Sequence, residues 1–231
     1  MKINKSLPCH KGNYSSDSKR KTPIQYIVIH YTGNNNDRAE SNCKYFQSPN
    51  RNASAHYFVD ETSIYQSVED EYVAWSVGGS KYANCQTTGG GTFYGKCTNN
   101  NSISVEICNA VKSVPIKTKE NVIWLVVQLM KKYDIDINHV IRHFDVNGKH
   151  CPACFINNPS YYASFKKEIE KELKGDEYTV TTTTIILNGV EKEVHVINIE
   201  GSNFIKLRDL ADEKIDIGYD STKKIPIITS K

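Results

Sequence analysis

Short runs of β-branched and aromatic residues recur along this 231-residue chain, and this pattern narrows the possible folds most. Residues 24–30, IQYIVIH, predict a buried strand, and residues 54–68 predict two strands joined by a turn at residues 60–63. Residues 102–108, SISVEIC, alternate large and small side chains, as a strand with one apolar face does. Residues 138–144, NHVIRHF, predict a further short strand.

Amphipathic segments between these strands predict helices. Residues 38–47 carry an apolar stripe and follow Asp37, which is predicted to cap the helix. A mostly apolar helix is predicted from about Lys119, with Thr118 as its cap, and another over residues 161–174. Strands that alternate with helices are typical of a mixed α/β domain, with helices flanking a central mixed sheet.

Two of the predicted strands carry a titratable side chain that could take part in catalysis or metal binding. His30 lies at the carboxyl end of the first strand, where YTGNNND then predicts a turn. Glu106 shares the small-residue face of its strand with Ser102 and Ser104. The glycine- and asparagine-rich segment of residues 78–101 is too polar for a core, so a surface loop is predicted there.

The composition changes near the C-terminus. Residues 178–201 predict a hairpin around Asn188 and Gly189, because this dipeptide favours the tight turn between two strands. A short helix and two final strands are predicted after it. We therefore predict two domains, residues 1–174 and a small β-rich α+β domain over residues 175–231. A domain of that size is near the lower limit for independent stability, which favours docking or self-association.

Bulk properties argue against some classes of function. The formal net charge of +3 is too small to indicate nucleic-acid binding, and no run of residues is long and apolar enough for membrane insertion. The N-terminal MKINKSLPCHKGNYSS lacks the apolar run of a signal peptide, which predicts synthesis in a cytoplasm. The seven cysteines are then expected to stay mostly reduced, although Cys85 and Cys97 could pair in an oxidising space.

Residues 140–155, VIRHFDVNGKHCPACF, allow three interpretations. A histidine pair and a cysteine pair here have the spacing of a structural zinc site: His139, His143, Cys151 and Cys154. As strand residues, however, the two histidines would lie about 13 Å apart. A thioredoxin-like pair at Cys151 and Cys154 is the second interpretation, although such a pair normally follows the first long strand. The third interpretation has His143 and His150 at the surface and Cys151 in the core, and the segment taken alone favours it.

Five motifs occur in a fixed order along residues 22–170: IVIHYTGN, SAHYFVDETSIYQSV, VAWSVGG, NSISVEIC, and IRHFDV followed by KHCP. In this order and at these spacings they resemble the zinc-dependent N-acetylmuramoyl-L-alanine amidases, a family that includes amidase-type phage lysozymes and peptidoglycan recognition proteins. The resemblance implies that His30, His143 and Cys151 bind one catalytic Zn²⁺. Two neutral imidazoles and one thiolate would leave a tetrahedral ion one open position, as in catalytic zinc sites.

The resemblance also implies roles for residues near the metal. Glu106 matches the family's catalytic glutamate, and Lys149 lies where the family often has a lysine that stabilises the developing oxyanion. His56 takes the place of a tyrosine of some phage members and is expected to act as a polar helper or substrate contact. Trp75 is expected to stack on a sugar ring. Many members read AWHAG where this chain has AWSVGG, so Ser76 is expected to change how the stem peptide or sugar is held.

The resemblance implies hydrolysis of the amide bond between N-acetylmuramic acid and the L-alanine of the peptidoglycan stem. Such a chain would be a phage endolysin, made in the host cytoplasm and acting on the cell wall after release. A non-catalytic peptidoglycan recognition protein of the same fold is the alternative. Residues 175–231 resemble the copper amine oxidase N-terminal-like, or stalk, domain, and we expect them to bind the wall or to form a homo-oligomer.

Overall fold

The computed structural model describes residues 1–175, 180–199, 201–223 and 225–231, and the chain divides into two units, Met1–Lys174 and Gly175–Lys231. The helices are α1 (Ala39–Phe46), α2 (Cys85–Thr88), α3 (Ile116–Tyr133), α4 (His143–Asn147), α5 (Ala153–Asn157) and α6 (Pro159–Lys174). The strands are β1 (Ile3–Asn4), β2 (Tyr14–Ser15), β3 (Tyr26–Tyr31), β4 (Tyr57–Val59), β5 (Ile64–Gln66), β6 (Val73–Ala74), β7 (Ser102–Ile107), β8 (Val140–Arg142), β9 (Val180–Leu187), β10 (Val190–Ile199), β11 (Ser202–Ile205), β12 (Ile215–Asp220) and β13 (Ile225–Ser230). Among the described residues, no helix combines the length and apolar character needed to cross a lipid bilayer.

The larger unit is built on a six-stranded sheet with the order β1-β5-β4-β7-β3-β8. β7 pairs in parallel with both β3 and β4, and β8 pairs in parallel with β3. β4 and β5 form an antiparallel hairpin, and the Asp60 N–H donates to the Ser63 carbonyl across its turn at 3.0 Å. This mixed sheet with helices packed on it confirms the predicted fold class.

Side chains alternate between the two faces of this sheet. The main apolar core takes every second residue of the two central strands: Ile27, Ile29, Ile103, Val105 and Ile107. Leu125 and Val126 of α3 and Phe165 of α6 complete this core. Because successive strand residues point to opposite faces, His30 and Glu106 project from the other side of the sheet.

The amino end of α1 is capped by a residue that is distant in sequence. α1 begins at Ala39, whose N–H donates to Asp60 Oδ2 at 2.8 Å, so the predicted cap by Asp37 is wrong. The Asp37 carboxylate instead accepts hydrogen bonds from the Asn42 side chain and the Asn109 N–H. Asp60 lies in the β4–β5 turn, far along the chain, which is why local sequence did not reveal it.

Two other helices start earlier than predicted. α3 begins at Ile116 instead of Lys119, and Thr118 is buried in its first turn and does not cap it. Pro115 occupies the N-cap of α3, and Pro159 is the first residue of α6. A proline suits these positions because the first N–H groups of a helix have no partner within it.

The strand predicted over residues 138–144 is shorter than expected. β8 ends at Arg142, and His143 is the first residue of α4. Asp145 Oδ2 accepts the Arg142 N–H at 2.8 Å, which is one half of a capping box, and it also accepts a hydrogen bond from the Arg142 guanidinium group. His143 therefore lies at the strand-to-helix junction.

Most of residues 78–101 are exposed, as the polar composition predicts, but the segment is anchored to the protein at several buried positions. It contains α2, and the side chains of Cys85 and Cys97 are buried. Cys97 packs with Tyr26 and Val28 against the sheet. Gly90 is buried because it packs closely against the Phe144 ring of α4, whereas Gly89 and Gly95 are exposed.

The smaller unit confirms the predicted hairpin: β9 and β10 pair antiparallel around Asn188 and Gly189, both of which have positive φ. β11 pairs with β10, and β12 and β13 form a separate antiparallel pair. The predicted short helix is a single 3-10 turn, Leu207–Leu210. Residues 178, 179 and 200 of the predicted hairpin and residue 224 of the last predicted strand lie outside the described residues.

Candidate metal centre and active site

His30, His143 and Cys151 converge where the parallel strands β3 and β8 end. The Nδ1 atoms of the two histidines lie 3.1 Å apart, and Cys151 Sγ lies 3.9 Å from His30 Nδ1. One ligand atom from each residue lies within 4.8 Å of the other two, and all three side chains are buried. The structure therefore brings together the three residues that the resemblance named as zinc ligands.

Different elements hold these side chains. His30 is in β3, and His143 follows β8 directly, so the pairing of the two strands sets the histidines side by side. Cys151 is brought back by a loop, in which the Phe144 N–H donates to the Cys151 carbonyl at 2.9 Å. The Cys151 N–H donates in turn to the Lys149 carbonyl at 2.7 Å. Backbone hydrogen bonds thus define the position of each ligand.

The donor set fits a tetrahedral zinc ion. Zn–N distances of about 2.0–2.1 Å and Zn–S distances of about 2.3 Å imply ligand separations of about 3.3 Å for two nitrogens and about 3.6 Å for nitrogen and sulfur. The two histidine nitrogens lie 3.1 Å apart here, Cys151 Sγ lies 3.9 Å from His30 Nδ1, and all three pairs are within 4.8 Å. Three protein ligands also leave the fourth position of a tetrahedron free, as in catalytic zinc sites.

The protonation states of these residues suit a metal as well. Burial lowers the pKa of His143 to about 3, with the Lys149 charge adding to the effect, and burial also lowers the pKa of His30. Both imidazoles are therefore neutral at pH 7, as metal ligands must be. Burial raises the pKa of the Cys151 thiol to about 12, so its thiolate needs a cation close by.

The other histidines and cysteine of this region lie outside the cluster. His139 Nδ1 is paired with Asp136 Oδ2 at 2.7 Å, and Cys154 is part of the main apolar core. His150 is exposed, and all seven cysteines, each within the described residues, are free. Neither His139 nor Cys154 belongs to the group of the described residues that could hold a metal, so the structure does not support a structural zinc site built on them.

Glu106 lies beside the three ligands, because β7 pairs with β3 in the register that places it opposite His30. Its Oε1 lies 3.8 Å from His30 Nδ1, and its Oε2 is buried without a hydrogen-bond partner among the described residues. Burial raises the pKa of Glu106 to about 7, against a lowering by the Lys149 charge. A carboxyl group with a near-neutral pKa and a free oxygen is suited to accept and return a proton.

Two cavities meet at Lys149. One, of about 680 Å³, is lined by residues that include Trp75, Tyr82, Asn99, His143 and Lys149. The other, of about 540 Å³, is lined by residues that include Tyr31, Asp37, Tyr45, Glu106 and Lys149. One cavity reaches His143 and the other reaches Glu106, so both give access to the cluster.

The structure places His56 away from both cavities. Its Nδ1 lies 3.0 Å from Ser104 Oγ, and its Nε2 lies 2.9 Å from Nη2 of Arg20, a residue that the sequence analysis did not single out. Burial lowers the pKa of His56 to about 4, with the Arg20 charge acting in the same direction. The predicted substrate contact would need an exposed ring atom, whereas this ring links β7 to Arg20 inside the protein.

A family model described as N-acetylmuramoyl-L-alanine amidase (Amidase_2) matches residues 20–154, more than half of the chain. The chain belongs to this family. The matched range contains the five residues of the cluster and its surroundings: His30, Glu106, His143, Lys149 and Cys151.

Curated relatives extend the similarity. The N-acetylmuramoyl-L-alanine amidase CwlL of Bacillus licheniformis is 27% identical over 218 residues, which is 92% of this chain and 58% of the relative. The amidase CwlA of Bacillus subtilis (strain 168) is 31% identical over 176 residues, 75% of this chain and 59% of the relative. The chain thus spans between half and three fifths of the length of these relatives.

Solved structures match the larger part of the chain. The catalytic domain of XlyA is 27% identical with a TM-score of 0.57, and the match covers 73% of this chain and 99% of that domain. The structure of PlyL is 27% identical with a TM-score of 0.56, and the match covers 73% of this chain and 97% of the PlyL chain. These similarities agree with the mixed α/β fold described above.

Proposed function

We propose that this chain is a zinc-dependent N-acetylmuramoyl-L-alanine amidase that hydrolyses the bond between the lactoyl group of N-acetylmuramic acid and L-alanine. The observation that supports this most is the buried cluster of His30, His143 and Cys151 with Glu106 in register beside it. The amidase names of the relatives support the same reaction class. The proposal therefore rests on the geometry of the site, and membership of the amidase family supports it.

Zinc would be held by His30 Nδ1, His143 Nδ1 and Cys151 Sγ. When bound, a zinc ion acidifies water and polarises a carbonyl group, so that an amide can be attacked at neutral pH. Glu106 Oε1 lies 3.8 Å from His30 Nδ1, so the carboxylate would lie next to an ion held by these residues. The site therefore joins a metal position to a carboxylate within reach of the same substrate atoms.

Glu106 acts in this proposal as the general base and then the general acid. Its unpaired Oε2 holds the proton taken from water and passes it to the departing amine of L-alanine. The pKa of about 7 suits both directions of this transfer. Lys149 stands beside the carboxylate and presents a positive charge to the oxygen that becomes negative during attack.

The two cavities that meet at Lys149 are proposed to receive the two halves of the substrate. Trp75 is partly exposed and lines the larger cavity, where its ring is available for stacking on a sugar. Its Nε1 donates to Ser15 Oγ at 3.0 Å, which fixes the ring plane. His56 would act indirectly, by holding the strand that carries Glu106.

The cell wall is the proposed place of action, as for an endolysin. The smaller unit would bind the wall or form a homo-oligomer. Within its described residues, large apolar side chains are exposed on several strands: Ile186, Val190, Phe204, Tyr219, Ile225 and Ile228. Exposed apolar groups at this density favour association over a purely solvated surface.

The test uses purified Gram-positive peptidoglycan and the full chain. Wild type should release new L-alanine amino termini without new reducing sugars, lose activity with a chelator, and regain it with Zn²⁺. Glu106→Gln should release almost none, whereas Glu61→Gln, at an exposed position in the β4–β5 turn, should match wild type. Wall binding without release of amino termini by wild type would identify a recognition protein and refute the amidase proposal.

A further inference from the structure

Residues 82–93, called the clasp below, supply hydrogen-bond donors to the carbonyl groups of α4, the short helix that begins with His143. The clasp donates three backbone hydrogen bonds to α4: Tyr82 N–H to the Asn147 carbonyl at 2.8 Å, Gly91 N–H to Phe144 at 2.9 Å, and Phe93 N–H to Asp145 at 2.8 Å. The Cys85 thiol adds a contact to the Asn147 carbonyl at 3.3 Å. The last carbonyls of a helix have no partner within it, so in this five-residue helix the clasp supplies them.

The clasp and α4 fit so closely that two positions require glycine. A Cβ atom on Gly90 would lie 2.9 Å from the Cα of Gly148 and 2.9 Å from the Phe144 ring. A Cβ atom on Gly148, which has φ of +91°, would overlap the sulfur of Cys85. A larger residue at Gly90 therefore meets the backbone at the end of α4, and one at Gly148 meets the Cys85 side chain, so either change must shift the clasp and α4 relative to each other.

This end of α4 leads directly to the metal centre. His143 begins the helix, and Asn147 Oδ1 accepts the Lys149 N–H at 3.0 Å just after it. The Phe144 N–H holds the Cys151 carbonyl at 2.9 Å. A displacement of α4 therefore moves a histidine ligand, the cysteine ligand and Lys149 together.

We propose that the clasp is a positioning element for the metal centre, with Gly90 and Cys85 as the residues that set the place of His143 and Cys151. This inference depends on the metal site of the proposed function. The clasp contributes no ligand of its own and acts through α4. Residues that orient metal ligands in this indirect way typically change metal affinity or activity about 10–100-fold when they are altered.

The first test compares Gly90→Ala with Gly89→Ala in the full chain, using Co²⁺ as the probe. Gly89 has φ of +74°, and a Cβ atom there would have no described atom within 4 Å, so alanine strains the clasp without touching α4. Titration of the metal-free proteins with Co²⁺, followed by the visible and thiolate charge-transfer bands, gives affinity and ligand geometry together. We expect Gly90→Ala to bind Co²⁺ about 10–100-fold more weakly with an altered spectrum, and Gly89→Ala to stay within about twofold of wild type.

A compensating pair provides the second test. Gly148→Ala should weaken Co²⁺ binding, and adding Cys85→Ala should restore part of it, because the sulfur is the atom that the new methyl group meets. Thermal unfolding shows whether each variant is folded at the titration temperature. If wild type binds Co²⁺ and Gly90→Ala binds it equally, with the same spectrum, the clasp proposal is overturned while the amidase proposal stands. Failure of wild type to bind Co²⁺ or Zn²⁺ would refute the metal site and the clasp proposal with it.

Discussion

The two ends of strand β3 each have a buried carboxylate nearby, and the two carboxylates have opposite surroundings. Near the amino end, Asp70 accepts hydrogen bonds from four side chains at 2.6–2.9 Å: Tyr57, Gln66, Lys132 and Tyr133. At the carboxyl end, Glu106 Oε2 is buried without a hydrogen-bond partner among the described residues. The Nε2 atoms of His30 and His143 are also buried without a partner there. The Asp70 carboxylate thus has hydrogen-bond partners for both oxygens, whereas the polar atoms around Glu106 remain available to a ligand.

The pKa values follow this difference. Burial on its own would raise the pKa of Asp70, but hydrogen bonds from Lys132, Tyr133 and Tyr57 lower it below its usual value. Burial raises the pKa of Glu106 to about 7, and only the Lys149 charge opposes it. A carboxylate with full partners stabilises the fold, whereas one without them costs stability and gains reactivity.

The largest effect is expected from Glu106→Gln. This change keeps the shape of the side chain and removes the proton acceptor, so kcat on peptidoglycan should fall about 10²–10⁴-fold. The free energy of unfolding should not decrease, since a poorly partnered buried carboxyl is replaced by a neutral amide. If Glu106→Gln lowered the free energy of unfolding as much as Asp70→Asn does, the contrast between the two carboxylates would not hold.

Asp70→Asn should give the reverse result. It removes the acceptor for two donors and should lower the free energy of unfolding by about 2–4 kcal/mol. Below its unfolding temperature the variant should keep near wild-type kcat, because Asp70 lies at the other end of β3 from the cluster. Urea unfolding and peptidoglycan assays on the same preparation measure both quantities.

The pH dependence of stability sharpens the same comparison. A carboxyl with a lowered pKa in the folded state contributes stability that is present above its unfolded pKa of about 3.9 and is lost as pH falls through the lower folded pKa. The gap in unfolding free energy between wild type and Asp70→Asn should therefore stay constant from pH 7 to about pH 5 and narrow below about pH 4. A gap that grows with acid would show that the Asp70 pKa is raised.

The smallest effect is expected from Lys132→Met. The Lys132 ammonium lies 2.8 Å from Asp70 Oδ2, but its side chain is 57% exposed and the Asp70 side chain is 8% exposed. Solvent screens the pair, so the loss should be at most about 1 kcal/mol in urea unfolding. A loss as large as that of Asp70→Asn would mean that the ion pair, and not the neutral donors, holds the carboxylate.

Much of the framework could be predicted from local pattern. The run IQYIVIH gave β3, the alternation in SISVEIC placed Glu106 on the face opposite the core, and Asn188 with Gly189 gave the hairpin of the smaller unit. These signals are local, since each depends on residues that are neighbours in sequence. The ligand cluster itself came from the ordered motifs, because spacing alone left several zinc and thiol sites open.

The remaining features depend on contacts between distant parts of the chain. Asp60 caps α1 from the β4–β5 turn, and Arg20 reaches His56 across the protein interior. Composition predicted the exposure of most of the segment after Gly78, but it did not show that three of its N–H groups donate to carbonyls of α4. Such pairings are decided by tertiary packing, which local propensity does not encode.

The pairing of β3 with β7 has a consequence for how this protein can change. His30 faces Glu106 because the two strands are aligned by backbone hydrogen bonds, and neighbouring residues on each strand belong to the apolar core. Adding or deleting a single residue within β7 would turn the carboxylate into the core and present an isoleucine or valine to the ligands. The count of residues along these two strands is therefore fixed by the need to keep Glu106 beside His30.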